Sequence, residues 1–141
     1  MPVIAVNGVE LYYELRGNGP SLLLIMGASG DGGVFDTFAN LLADEFCVVM
    51  YDRRGNGRSS SPPGWNSTSP EEQADDAAAL VDALGLAPAA VFGTSGGGLF
   101  ALELLLRHPS AVRGCVLHEA VLLALVDDPK GARETLTELL S

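Results

Sequence analysis

The sequence predicts an α/β domain built on a mostly parallel sheet, with an N-terminal β-hairpin and helices on both faces. Three observations lead there. From Ser21 onward, apolar runs of strand length alternate with segments of helical periodicity. The first two strand-length runs are separated by Asn7-Gly8, a hairpin signal because both residues tolerate positive φ. The third strand, with Leu22-Leu23-Leu24-Ile25 at its centre, is apolar at successive positions, which suits a strand covered by helices on both faces. Strands joined through helices pair in parallel by right-handed crossovers.

Val3 to Val6 and Leu11 to Leu15 form the hairpin, and after the turn Gly17-Asn18-Gly19-Pro20 a strand runs from Ser21 to Met26. The glycine-rich loop Gly27 to Gly33 leads into a helix over Val34 to Asp44, with Phe35, Phe38, Leu41 and Leu42 at helical spacing. Phe46 to Tyr51 is a strand, followed by the loop Asp52 to Ser59 and a Pro/Ser-rich connection to Ser69. Ser69 before Pro70, with Glu71 and Glu72 next, marks a helix start that complements the helix dipole; Gly85 ends that helix. Ala89 to Thr94 is a strand, Gly96 to His108 a helix stopped by Pro109, and Val112 to His118 a strand. Asp128-Pro129 opens a last helix with Leu136, Leu139 and Leu140 on one side. The 141 residues suit a single domain without internal repeats.

Composition narrows the function classes. The formal net charge is −10 and the one lysine is Lys130, a balance that repels phosphate backbones and anionic lipid surfaces. Neither a nucleic acid nor a membrane is therefore an expected partner. Cys47 and Cys115 lie in apolar runs and read as reduced core thiols, with no metal site and no cofactor expected. The N-terminus lacks the basic and apolar segments of a signal peptide, and no apolar run approaches the roughly 20 residues of a membrane helix. A cytoplasmic location is the simplest expectation.

Chemistry concentrates at Gly93-Thr94-Ser95-Gly96-Gly97. A G-x-S-x-G pattern between an apolar strand and a helix places its serine on a sharp turn, exposed for nucleophilic attack. Such a turn strains the serine backbone and crowds the flanking positions, where a Cβ would clash, so Gly93 and Gly97 meet a steric need. It also sets Ser95 over the free N–H groups of the next helix, among which Gly96 N–H is suited to hold an oxyanion.

Three segments resemble the N-terminal half of the α/β-hydrolase superfamily: Leu23-Leu24-Ile25-Met26-Gly27-Ala28, Tyr51-Asp52-Arg53-Arg54-Gly55-Asn56-Gly57-Arg58-Ser59, and Val91-Phe92-Gly93-Thr94-Ser95-Gly96-Gly97. The resemblance covers the whole chain and about half of that fold, and it implies a half-size α/β-hydrolase. It puts the second oxyanion donor on Ala28 N–H. Met26-Gly27 stands where the family usually has His-Gly, which leaves the backbone donor usable. It makes the loop Asp52 to Ser59 largely structural. In the family the acid and then the histidine follow the nucleophile, and the segments that bring them have no counterpart in these 141 residues.

Two histidines are present. His108 precedes Pro109 at a helix end, where it suits the helix dipole. His118 ends the strand after the nucleophile's, at the carboxyl side of the sheet where open α/β folds bind ligands. If the two strands are neighbours they lie about 4.8 Å apart, so His118 is the candidate base. Some α/β-hydrolases resemble this chain in carrying the acid after this strand, which makes Glu119 the candidate acid. Successive strand residues point to opposite faces, so one chain does not readily offer both to its own serine. The last strand and the run Ala120 to Val126 would form an apolar edge that invites pairing, most simply as a two-fold homodimer.

The leading expectation is a serine-dependent hydrolase of small carboxylic esters, working as a homodimer. Ser95, His118 and Glu119 are its catalytic candidates, Ala28 and Gly96 its oxyanion donors. Two alternatives remain: a non-catalytic half-fold that dimerises or binds a ligand, and a separate polypeptide that supplies the histidine.

Overall fold

The computed structural model describes residues 1–28 and 31–140, with side chains described through residue 138. Strands β1 (Val3–Val6) and β2 (Val9–Arg16) form the hairpin. Its turn takes positive φ at both Asn7 (46°) and Gly8 (78°), the geometry the dipeptide is chosen for. β2 extends beyond the expected run because its second half pairs antiparallel with β4 (Cys47–Tyr51), Tyr13 facing Tyr51 and Arg16 facing Val48.

β3 (Ser21–Ile25), β5 (Ala89–Thr94) and β6 (Val112–His118) complete a six-stranded sheet in the order β1-β2-β4-β3-β5-β6. The pairs β3–β4, β3–β5 and β5–β6 are parallel. Alternate residues of the inner strands face opposite layers, as strand geometry requires. Leu23, Ile25, Val49, Tyr51 and Val91 pack in one core with residues of α2 (Pro70–Ala83) and α3 (Gly96–Arg107). Leu24, Val48 and Met50 pack on the other side with Phe35 and with Ala39 of α1 (Asp36–Leu42). The mostly parallel sheet with helices on both faces is thus as expected.

α2 buries Ala74, Ala77, Ala78 and Val81, a stripe at helical spacing whose small side chains allow close approach to the sheet and to α3. Its start follows the sequence signal: Ser69 Oγ accepts from Glu72 N–H at 3.1 Å, Pro70 occupies the first helical position, and Glu71 and Glu72 lie in the first turn. Ser69→Ala is expected to cost about 1 kcal/mol in urea unfolding, with unchanged far-UV circular dichroism.

Three local expectations are corrected. The helix expected from Val34 begins instead with a 3-10 turn, Gly32–Phe35, because the Asp31 carboxylate accepts from Gly33 N–H at 2.6 Å and tightens the entry. The tighter turn shifts the helical phase, so Leu41 faces solvent at 75% exposure while Phe38 and Leu42 stay at the core. Cys47 and Cys115 are free but only half-buried, since Cys115 lies on the outermost strand; burial still pushes its thiol upward from the ordinary value. The C-terminal helix is present as α4 (Pro129–Leu140); the side chains of Leu139 and Leu140 lie outside the described residues.

Among the described residues no strand pairs with the outer edge of β6, where Val116 is 59% and Leu117 39% exposed. Among the described residues no helix is long and apolar enough to cross a membrane.

Candidate active site

Ser95 sits between β5 and α3 with φ 55° and ψ −125°, a conformation that costs a non-glycine residue about 1–3 kcal/mol and persists only when its surroundings impose it. Here the backbone imposes it. Ser95 N–H donates to the His118 carbonyl at 3.0 Å, and the Ser95 carbonyl accepts from Gly98 N–H at 3.0 Å and Val121 N–H at 3.2 Å. The side chain is exposed, and its Oγ has no hydrogen-bond partner among the described residues.

The two flanking glycines are needed for space. A Cβ on Gly93 would run into the Gly97 carbonyl, and one on Gly97 would run into the Ile25 carbonyl at the end of β3. The steric argument from the pattern holds, with the addition that Gly97 also lets α3 approach β3.

The loop after β3 meets the nucleophile turn closely. A Cβ placed on Gly27 would lie 3.0 Å from Gly96 N and 3.1 Å from Ser95 Cβ. Ser95, Gly96, Gly27 and Ala28 all line a cavity of about 180 Å³, closed on its other side by Leu99, Phe100, Val121 and Leu136. A second, larger apolar recess of about 420 Å³ shares Leu99 and Val121 with it and continues along Leu102 and the segment Leu122 to Leu125. The chamber beside Ser95 is therefore mostly apolar, with polar backbone at one end.

Arg53 forms part of the same wall. Only 6% exposed, it donates from Nε to the Met26 carbonyl at 3.1 Å and from Nη2 to the Gly27 carbonyl at 2.6 Å. Its guanidinium lies over the Phe100 ring, 4.9 Å from the centroid. Burial pulls its proton affinity below the ordinary arginine value, with a small opposing effect from Tyr51. Within the loop Asp52 to Ser59, expected to be largely structural, no sequence pattern assigns Arg53 a role of its own. Its signal was two consecutive arginines at the end of an apolar strand.

The rest of that loop is built as scaffold. Asp52 is fully buried and accepts from Gly32 N–H at 2.9 Å, from Arg58 N–H and Nε at 2.8 Å each, and from Arg58 Nη2 at 3.0 Å. Burial alone would raise its proton affinity, but the Arg58 and Gly32 hydrogen bonds outweigh it and hold the carboxyl below the usual range. Ser59 Oγ donates to the Asp52 carbonyl at 2.5 Å and accepts from Tyr12 N–H at 2.9 Å. Arg54 forks onto Asp76 from Nε (2.6 Å) and Nη2 (2.7 Å), tying the loop to α2.

His118 stands directly opposite Thr94 in the β5–β6 register. Its Nδ1 shares a 2.9 Å hydrogen bond with Thr94 Oγ1, and its ring stacks on Phe92 at 6.0 Å between centroids. The imidazole is exposed and, among the described residues, makes no side-chain bond to Ser95. Glu119 follows with a left-handed φ of 47° and an exposed side chain. His108 lies elsewhere, its Nε2 2.6 Å from Asp75 Oδ1. The fold brings Ser95, Gly96, Gly27 and Ala28 together; among the described residues no side-chain hydrogen bond joins His118 or Glu119 to Ser95.

The profile of the alpha/beta hydrolase fold family matches residues 20–138. The hydrolase YraK of Bacillus subtilis (strain 168) is 40% identical over 123 residues, covering 87% of this chain and 45% of that protein. The crystal structure of the enol-lactonase from Burkholderia xenovorans LB400 superposes with a TM-score of 0.75 at 33% identity, over 81% of this chain and 45% of that one. Est816, described as an N-acyl homoserine lactone degrading enzyme, superposes with a TM-score of 0.80 at 29% identity, over 99% of this chain and 54% of its own. The chain spans about half the length of the proteins it matches. With the strand order, the nucleophile turn and the family profile in agreement over most of its length, the chain belongs to the alpha/beta hydrolase fold family.

Proposed function

We propose that this chain is a serine-dependent hydrolase of small, mostly apolar carboxylic esters, and that it acts as a homodimer in the cytoplasm. The observation that carries this reading is the left-handed Ser95 on an exposed turn, with Gly96 and the Gly27–Ala28 peptide packed against it. The mostly apolar lining of the cavity beside it supports a small, mostly apolar ester. Two of the similar structures are described by their action on lactones, which are cyclic esters.

In this reading Ser95 Oγ attacks the ester carbonyl carbon and its proton passes to an imidazole. The carbonyl oxygen, now carrying the negative charge, is held by Gly96 and Ala28 N–H groups. The alcohol leaves with the proton from the imidazole, and water then hydrolyses the acyl-serine by the same steps. His118 is the proposed base and Glu119 the proposed acid. In the tautomer where Nδ1–H donates to Thr94 Oγ1, Nε2 of His118 is the nitrogen that receives the proton. The exposed Val116, Leu117, Leu125 and Val126 at and beyond β6 support the proposed dimer, in which pairing there would cover the apolar surface and offer His118 or Glu119 of one chain to the other's serine.

The test is hydrolysis of p-nitrophenyl acetate together with sedimentation velocity. The expected outcome is a concentration-dependent dimer whose esterase activity is lost in His118→Ala. A strictly monomeric protein removes the homodimer, and full activity in His118→Ala removes this base.

A second reading is favoured by the bond of His118 to Thr94 rather than to Ser95: a half-fold that binds a ligand in the same apolar cavity without catalysis. Ester binding without turnover is its signature. Restoration of turnover by a separately added polypeptide would instead place the histidine on a partner.

A further inference from the structure

Among the described residues Arg16, Arg54, Arg58 and Arg107 each meet a carboxylate oxygen within 3.1 Å. Arg53 is different. It is buried, it lines the cavity beside Ser95, and no carboxylate approaches it among the described residues. A buried charge without a counter-ion is costly, so its retention asks for a reason.

The hydrogen bonds supply one. Arg53 gives its two observed hydrogen bonds to consecutive backbone carbonyls, Met26 and Gly27, where the chain leaves β3. The Gly27 carbonyl and the Ala28 N–H belong to one peptide group, and this peptide is trans. In a trans peptide the C=O and N–H point in opposite directions. Fixing the carbonyl on the guanidinium therefore aims the Ala28 N–H away from Arg53. Because Gly27 packs on Ser95 and Gly96, the peptide is held at the nucleophile. A cation bonded to the carbonyl also polarises the peptide, which makes its N–H a stronger donor. The need for such a clamp is local: the loop that follows is rich in glycine, and glycine leaves a backbone free to turn either way. Phe100 of α3 holds the guanidinium plane from below, so one side chain joins the β4 loop, the end of β3 and α3.

We infer that Arg53 is the positioning residue of the oxyanion site, clamping and polarising the Gly27–Ala28 peptide so that Ala28 N–H faces the charge developing beside Ser95. This rests on Ser95 being the nucleophile. Arg53 itself need not touch the substrate.

The experiment compares wild type, Arg53→Met and Arg53→Lys in two measurements. The first is phosphonylation of Ser95 by a neutral fluorophosphonate, read as a maximal labelling rate and an apparent binding constant. The second is the ¹H shift of the Ala28 amide in the unliganded protein. In Arg53→Met the labelling rate is expected to fall about 10- to 100-fold, since the residue acts on one donor of the oxyanion site. The binding constant stays within about twofold, as expected where only transition-state contacts are lost, and the Ala28 amide moves upfield. Arg53→Lys, which keeps the charge but not the fork, falls between the two and guards against a folding defect in the methionine variant.

An unchanged labelling rate or an unchanged Ala28 shift in Arg53→Met overturns the inference. A loss confined to the binding constant also overturns it, and would make Arg53 a ligand-contacting residue. If the wild-type protein itself is not labelled at Ser95, the nucleophile reading fails instead; the amide shift still decides whether the clamp exists.

Discussion

Ser95→Ala is expected to abolish covalent labelling by a fluorophosphonate and to lower hydrolysis of an activated ester by at least about 1,000-fold, leaving the fold unchanged. Both halves of this expectation come from the geometry. The hydroxyl is exposed and has no partner among the described residues, so its removal opens no cavity and orphans no buried group. The strained backbone is set by hydrogen bonds from Ser95 N–H and to its carbonyl, none of which involves the side chain. Alanine meets the same φ cost as serine, and the turn should stand. What disappears is the hydroxyl that, in the proposed mechanism, attacks a carbonyl held by the Gly96 and Ala28 N–H groups. Intact-protein mass spectrometry after labelling, with circular dichroism beside it, checks the result. An adduct that persists in the alanine variant would show that the reactive serine lies elsewhere.

Asp76→Ala is expected to destabilise the protein by about 3–5 kcal/mol, the usual cost of removing one partner of a buried ion pair. Asp76 is 1% exposed and takes both arms of Arg54, at 2.6 and 2.7 Å, as well as Asn7 Nδ2 at 3.1 Å. Without it, Arg54 retains its 2.8 Å bond to Glu72 and is otherwise sealed in. A guanidinium keeps its proton throughout the neutral range, so Arg54 cannot escape the penalty by becoming neutral. Domains of this size are stable by only about 5–15 kcal/mol. The loss should therefore appear as a large drop in the urea midpoint at constant slope. The double variant Arg54→Met with Asp76→Leu should recover much of it, because no charge is then left buried. A loss under about 1 kcal/mol in the single variant would mean that solvent reaches Arg54 after all.

Much of this could be read from residues alone, where the signal is local. Asn7-Gly8 fixes its own turn, Ser69-Pro70 fixes its own helix start, and the spacing of Gly93 and Gly97 about Ser95 states a steric requirement that the fold meets. The strand Ser21 to Ile25 needed no neighbour to announce that it is buried on both faces. Elsewhere the deciding partner is distant in sequence. Arg53 bonds carbonyls more than twenty residues away, and nothing in the loop's composition separates it from Arg54, whose partner is a carboxylate on α2. Thr94 engages His118 only because the β5–β6 register sets them side by side. Periodicity places Leu41 beside Phe38 and Leu42, and the 3-10 turn that displaces it depends on the short bond from Gly33 N–H to the Asp31 carboxylate. Local chemistry is legible, and register and loop crossings are not.

The amide of Ser95 bonds to the last carbonyl of β6, and its own carbonyl receives the amide of Val121 just beyond. Ser95 is thereby stitched into an edge strand of the sheet. Fraying of that strand would release the Ser95 amide to solvent and relax its backbone in one event. The exchange rate of this single proton should consequently serve as a gauge of how firmly β6 is held. Whatever settles on the outer edge of β6 should slow that exchange and, by the same contact, hold the Ser95 backbone in its positive-φ conformation.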